Sequence, residues 1–427
     1  MERPSVLFIV IDCMREDVFS SLGSKSGYFR SMIKNGYYFP NAMTAATNTI
    51  PSFGSILTGD YPFENGLESP MNTRLESSVK TLPEIFRSHG YSTMAFVTGP
   101  LVKETGISKG FDVYEYRGKF DYIHGRTKNR IISRVKSSKK PWFVMLHFWA
   151  AHHPLFTGSK KRLLKKKIEF SAVNLIRRAG ILRILQKFYR NIKLPSGRKY
   201  STEYIKSVKH IEMMAEEITK KLNPDVIVIT GDHGERLDER LTKKDLQRRG
   251  PDGKPEQWLR HSYHIYDFLM NVPLLFYGKG FPKKTVRSNV RTIDIFPTLV
   301  DYMGFPKQKS SGDSLLPPDF KEESRETVSI APLTRSDGET EARIDGIRDE
   351  RYKFGFRSDS YGDEEFLFDL KNDSHENSNI LTEKQEIAHG MKERLKKIKS
   401  EKEVKSSKLD RKEKKIVTER LKDLGYM

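Results

Sequence analysis

Val226–Glu235 reads VIVITGDHGE, an unbroken β-branched run that ends in a glycine-flanked Asp-His pair. Continuous apolarity suits a strand buried on both faces, as in a parallel sheet covered by helices; a half-solvated strand would alternate. The same texture recurs at Val6 to Ile11, Thr93 to Val97, Trp142 to Leu146 and Val272 to Tyr277. Helical stretches lie between these runs. Leu82 to His89 stops at Gly90, and Thr202 to Lys221 places Ile205, Val208, Ile211 or Met214, and Ile218 at helical spacing. The alternation predicts an α/β fold with a doubly wound, mostly parallel sheet. In such sheets the reactive groups gather at the carboxyl ends of strands, where the loops converge on a crevice. Asp12 and Asp232 each stand just past such an end.

The 427 residues are 37% hydrophobic and 31% charged, a balance that gives a sizeable core and a heavily solvated surface. No apolar run approaches the roughly 20 residues of a membrane span. The run Val6 to Ile11 lacks a small-residue cleavage site and reads as a first core strand, not a signal peptide. One cysteine, Cys13, excludes an internal disulfide framework and points to a reducing compartment, the cytoplasm. The formal charge of +20 is concentrated: Thr157 to Tyr200 carries fourteen Lys and Arg against the single acid Glu169. That basic insertion sets the expected division of the chain. Residues 1–316 form the catalytic domain with an insertion at about 157–200, and 317–427 form a small C-terminal α+β subdomain with a charged, solvated helical tail.

Three segments carry chemistry. Asp12, ending the first run, is a hard-cation ligand or a cap for the next helix. Asp232 and His233 can both face one metal, because flanking glycines let the backbone approach and bend. Thr49 precedes Pro51 at an expected helix start, where free N–H groups favour an anion. A threonine hydroxyl needs help to ionise, and metal coordination supplies it. N-capping is the alternative role for Thr49.

In this order the three segments resemble the sulfatase-like family of the alkaline phosphatase superfamily. The resemblance runs through Ile9 to Asp17, Pro51 to Gly66, Gly110 to Tyr114 (GFDVY), His147 to Pro154 and Gly231 to Glu235. It continues through Tyr266 and Asp267, Val272 and Pro273, Asp294 to Leu299 (DIFPTL), Arg351 to Phe354 (RYKF), Leu367 to Leu370 (LFDL) and the closing Leu421, Leu424 and Gly425. It implies an alkaline-phosphatase-like fold, with Asp12, Thr49, Asp232 and His233 as the metal and nucleophile positions. The ion is a divalent one: Mn, Mg, Ca or Zn. Sulfatases mature a Cys or Ser to formylglycine in a motif Cys/Ser-x-Pro-x-Arg, but here Thr49 and Phe53 occupy the first and last places, and Cys13 stands where many have a second metal Asp. The expectation is therefore a threonine-nucleophile enzyme with no formylglycine. It would be a hydrolase or transferase of phosphoesters, with sulfuric ester hydrolysis as the alternative. An inactive protein that binds anions or membranes is the reading from another class.

His152 matches the family's His-x-Pro histidine, and His261 stands where relatives keep a substrate or metal histidine; both are expected to bind substrate. Arg15 and Asp17 are expected to form a structural ion pair. The substrate is an anionic ester, in the range from a polyanion to a lipid-linked glycan. Residues 160–199 offer a cationic amphipathic face for peripheral contact with an anionic membrane. Nucleic acid is not expected, since the insertion lacks regularly interleaved aromatics for base stacking.

Overall fold

The computed structural model describes residues 3–23, 27–69, 72–117, 123–152, 197–237, 261–334, 340–359, 362–404 and 407–424. The basic insertion expected at about 157–200 lies outside the described residues up to 196, as does nearly all of the 160–199 segment expected to meet a membrane; 197–200 open the helix Gly197–Leu222.

In chain order the strands are β1 (Val6–Ile11), β2 (Tyr37–Met43), β3 (Thr73–Arg74), β4 (Ser92–Val97), β5 (Val113–Tyr116) and β6 (Trp142–Phe148). There follow β7 (Val226–Gly231), β8 (Asn271–Gly278), β9 (Lys284–Thr285) and β10 (Val290–Arg291). The C-terminal part adds β11 (Thr327–Thr334), β12 (Thr340–Arg348), β13 (Tyr352–Ser358), β14 (Glu364–Asp369) and β15 (Ser407–Lys408). Nine strands form the main sheet in the order β10-β2-β8-β7-β1-β6-β4-β5, with β9 beside β2. A second, antiparallel sheet runs β11-β12-β13-β14, and β15 pairs with β3. The expected α/β class with a mostly parallel sheet and a C-terminal subdomain is what the chain forms.

Burial on both sides explains the unbroken apolar runs. Leu7, Ile9 and Ile11 of β1 pack in one core with Val208, Ile211, Met214 and Ile218 from the helix Gly197–Leu222. Val6, Phe8 and Val10 pack in the other with Phe53, Ile56 and Leu57 from the helix Thr49–Thr58. Successive side chains of one strand thus enter opposite layers. Ile205, assigned above to the helix's apolar face, is 37% exposed instead.

Two features escaped the pattern. β8 runs antiparallel to β7 and β2, because burial on both faces sets apolarity while strand direction leaves no trace in it. β2 contains Pro40 and Asn41, which break its texture, and its pairing with β8 shifts register between Phe39 and Ala42. The charged run beyond Lys384 forms the helices Gln385–Lys402 and Arg411–Leu424. The first is not wholly solvated: Ala388, Met391 and Leu395 pack against Ile347, Phe354 and Leu367 of the small sheet. No described helix is long and apolar enough to cross a membrane.

Candidate active site

β1 lies between β7 and β6 and parallel to both, so three carboxyl ends open side by side. The register sets Ile11 against Gly231 on one flank and Phe148 on the other. Asp12 and Asp232, each one residue beyond its strand, therefore come together, and His147 near the end of β6 joins them.

All three side chains are fully buried. His147 Nε2 lies 3.3 Å from Asp12 Oδ2, and ligand atoms of Asp12, His147 and Asp232 all fall within 4.8 Å of one another. Thr49 is the first residue of its helix, after the N-cap Asn48. Its Oγ1 donates to Asp12 Oδ2 at 3.2 Å and lies 3.3 Å from His233 Nε2. Neither alternative capping role holds. Thr49 Oγ1 and the Asp12 carboxylate engage each other, and the helix after Asp12 begins only at Glu16.

The Asp232 loop is held by its backbone. Thr44 Oγ1 and Ser52 Oγ each donate to the Asp232 carbonyl at 2.6 Å, while Cys13 N and His233 N donate to Asp232 Oδ1 at 3.1 and 2.8 Å. Glycine at 234 is steric: a Cβ there would stand 2.0 Å from the Phe268 carbonyl oxygen. His233 Nδ1 is 2.8 Å from the Gly234 carbonyl, which can only accept, so Nδ1 carries a hydrogen and the ring turns Nε2 toward Thr49.

A second shell of titratable groups follows. Cys13 Sγ lies 3.7 Å from Glu235 Oε2 and 3.9 Å from His261 Nδ1, which is itself 3.3 Å from the same oxygen. The His261 ring centre is 4.7 Å from that of His233 and 4.9 Å from that of His152, which stacks on Trp149. Arg15 pairs with Asp17 at 2.6 Å as expected, and its guanidinium also donates to the Glu235 carbonyl. Tyr204 Oη donates to the Cys13 carbonyl at 2.6 Å and pins the turn. His264 lies elsewhere, stacked on Tyr266 and Phe366.

Electrostatics separate these groups. Burial alone would raise the Asp12 carboxyl, but His152, His147 and His233 outweigh it and hold Asp12 well below the usual carboxylate range. Burial, then the charge of Asp12, pushes Asp232 up to about 6. Burial and the surrounding carboxylates Asp12, Glu235 and Asp232 raise the Cys13 thiol. For His261 burial opposes the cation, yet Glu235 raises it above the ordinary imidazole value.

Every expected site residue is thus in one place. Sequence reading left out His147, Cys13 as a donor, and Glu235. His147 was detectable as a polar residue inside the otherwise apolar β6. A divalent cation fits the centre. Asp12 Oδ1 and Asp232 Oδ2 are buried and accept no hydrogen bond among the described residues. A cation there would offset the repulsion of two adjacent buried carboxylates.

A family model described as "Sulfatase" matches residues 4–305, and one described as "N-sulphoglucosamine sulphohydrolase, C-terminal" matches 257–401. The delta 4,5-hexuronate-2-O-sulfatase of Bacteroides thetaiotaomicron is 23% identical over 74% of this chain and 72% of its own. The human N-acetylglucosamine-6-sulfatase is 24% identical over 74% of this chain and 64% of its own, so this chain spans less than two thirds of that relative. Among solved structures, a 2-O GAG sulfatase superposes with TM-score 0.67 at 18% identity, covering 97% of this chain and 96% of the other. The phosphonate monoester hydrolase of Agrobacterium radiobacter does so at TM-score 0.67 and 16% identity, over 93% and 96%.

These matches correct two expectations. The relatives are sulfatases, which favours sulfuric over phosphoric esters and gives no support to a threonine-nucleophile subgroup. Enzymes matching this model work with a formylglycine and a divalent metal, so the expected absence of formylglycine does not stand. The inference had been drawn from one local motif, which a match over some 300 residues outweighs.

Proposed function

The chain belongs to the sulfatase family, and from that premise we propose that it hydrolyses sulfuric esters of an anionic glycan at the centre around Asp12, Thr49, Asp232 and His233. The observation that carries this reading is the pair of buried, unbonded oxygens, Asp12 Oδ1 and Asp232 Oδ2, beside Thr49 Oγ1.

A divalent cation held by Asp12, Asp232 and His233, with His147 in reach, would supply the positive charge that stabilises an ionised oxygen and a developing anion. The chain's own residues do the rest. Position 49 presents the attacking group: its hydroxyl proton is directed at Asp12, and the helix that begins there turns free N–H groups toward an anion. His261, whose proton affinity Glu235 raises against burial, is the acid that hands a proton to the departing sugar oxygen. His152 lies against His261 and binds a sulfate oxygen. Burial of the whole cluster excludes water until the ester arrives.

Sulfated glycans are the class to offer, because the hexuronate and N-acetylglucosamine sulfatases above act on them and the charge of +20 suits a polyanion. The test compares initial rates on aryl sulfate, sulfated disaccharides and aryl phosphodiesters, for the wild type and Thr49→Ala. Release of sulfate that Thr49→Ala abolishes supports the reading. Faster phosphodiester cleavage overturns the sulfate assignment, and full turnover by Thr49→Ala removes position 49 from the chemistry.

A further inference from the structure

The centre is unusually rich in nitrogen and sulfur. Three overlapping groups have ligand atoms within 4.8 Å: Asp12, His147 and Asp232; Asp12, Cys13 and His152; and Cys13, His233 and His261. Of the seven residues in these groups, only two offer carboxylate oxygen.

Calcium takes six to eight oxygen ligands and magnesium a near-ideal octahedron of them. The carboxylate that might enlarge the oxygen set, Glu235, is already engaged: Oε1 accepts from Arg236 N at 3.0 Å and Oε2 faces His261 and Cys13. Imidazole and thiolate suit zinc and its transition-metal neighbours. Cys13 is fully buried and held with φ at 57°, a conformation a non-glycine residue keeps only when its surroundings impose it. Here the imposing contacts are Cys13 N to Asp232 Oδ1 and Tyr204 Oη to the Cys13 carbonyl. Asp12 Oδ1 and Asp232 Oδ2, buried and without a hydrogen-bond partner among the described residues, are a second and independent sign of a cation site.

We propose that this centre selects a thiophilic ion, zinc or a zinc-like transition metal, and that Cys13 Sγ is one of its ligands, with the imidazoles and the Asp12 carboxylate that lie within 4.8 Å of it. The proposal rests on reading Asp12, Asp232 and His233 as metal-binding. Ligation replaces the thiol hydrogen, which leaves as a proton to solvent.

The experiment needs no turnover. Metal-free full-length protein is titrated with zinc, calcium and cobalt, and bound metal is counted by mass spectrometry while absorption is followed. Zinc should bind at least about a hundredfold more tightly than calcium. The cobalt form should show sulfur-to-cobalt charge transfer in the near ultraviolet. Cys13→Ser should lose that absorption and about a hundredfold in zinc affinity; Cys13→Asp, which adds a hard oxygen, should reverse the preference toward calcium. Two results would overturn the proposal and spare the metal-site reading: calcium preference in a wild type whose Asp232→Asn variant binds nothing, or unchanged zinc binding by Cys13→Ser. Peptide mass mapping that finds Cys13 without its sulfur also overturns it. A wild type that binds none of the three ions sinks both.

Discussion

Two clusters of buried charge are built on opposite principles. In the small-sheet cluster, Lys353 of β13 is 1% exposed and donates to the Ile265 carbonyl, to Asp267 and, at 2.6 Å, to Glu376. Arg348 adds two bonds to Asp267, and Asp267 N donates to Glu376 at 2.6 Å. Each of these charges has a partner. At the strand-end cluster, two carboxylates meet with an oxygen each left over. A closed network rigidifies the junction between the sheets, while the open one keeps coordination for something that is not protein.

The largest effect expected from this contrast is on catalysis. Asp12→Asn should lower sulfate release by at least about three orders of magnitude, roughly 4 kcal/mol of barrier. In the metal-free protein the same change removes a carboxylate that His152, His147 and His233 hold in its ionised form, so its melting temperature should fall. An unchanged melting temperature would show that these histidines do not stabilise it.

Lys353→Met should do the reverse. It leaves Glu376 buried without its cation and Asp267 with Arg348 alone, and should cost about 3–5 kcal/mol in denaturant unfolding. Loss of stability below about 1 kcal/mol would show that this network is not closed in solution.

Metal should matter on one side only. Zinc at a hundred times its dissociation constant should stabilise the wild type by about 2.7 kcal/mol, and Asp232→Asn should abolish that gain. Lys353→Met should preserve it, and equal loss in both variants would join the two clusters into one.

The smallest effect lies at another carboxyl, the half-buried Asp60, which accepts from Ser311 N at 3.0 Å and sits near Glu64. Burial first, then Glu64, pushes Asp60 up to about 7 from an unfolded value of 3.8. A folded value above the unfolded one means that the native state holds its proton longer. The contribution to stability is complete below pH 3.8 and is lost as pH rises toward 7. Asp60→Asn should flatten the dependence of unfolding free energy on pH across that window, and an unchanged slope would assign it to other groups.

Five apolar runs placed five strands of the main sheet, because burial on both faces writes itself directly into composition. The Asp-His pair was equally legible, since a polar pair with flanking glycines after such a run has few structural uses. β2 was hidden by Pro40, whose missing N–H argues against a strand although a register shift accommodates it. Formylglycine was misjudged because the expectation rested on local motifs alone, Thr49 with Phe53 and the residues after Cys13.

What the sequence determined by itself was which residues stand at the carboxyl ends of strands: hydrophobic runs are local, and the residue ending each run can be read without knowing its neighbours. That His147 and Cys13 share a centre with Asp12 and Asp232 was decided only by tertiary structure. β1 meets β6 and β7 through pairings that span more than a hundred residues of chain, and their register brings these donors into overlapping groups.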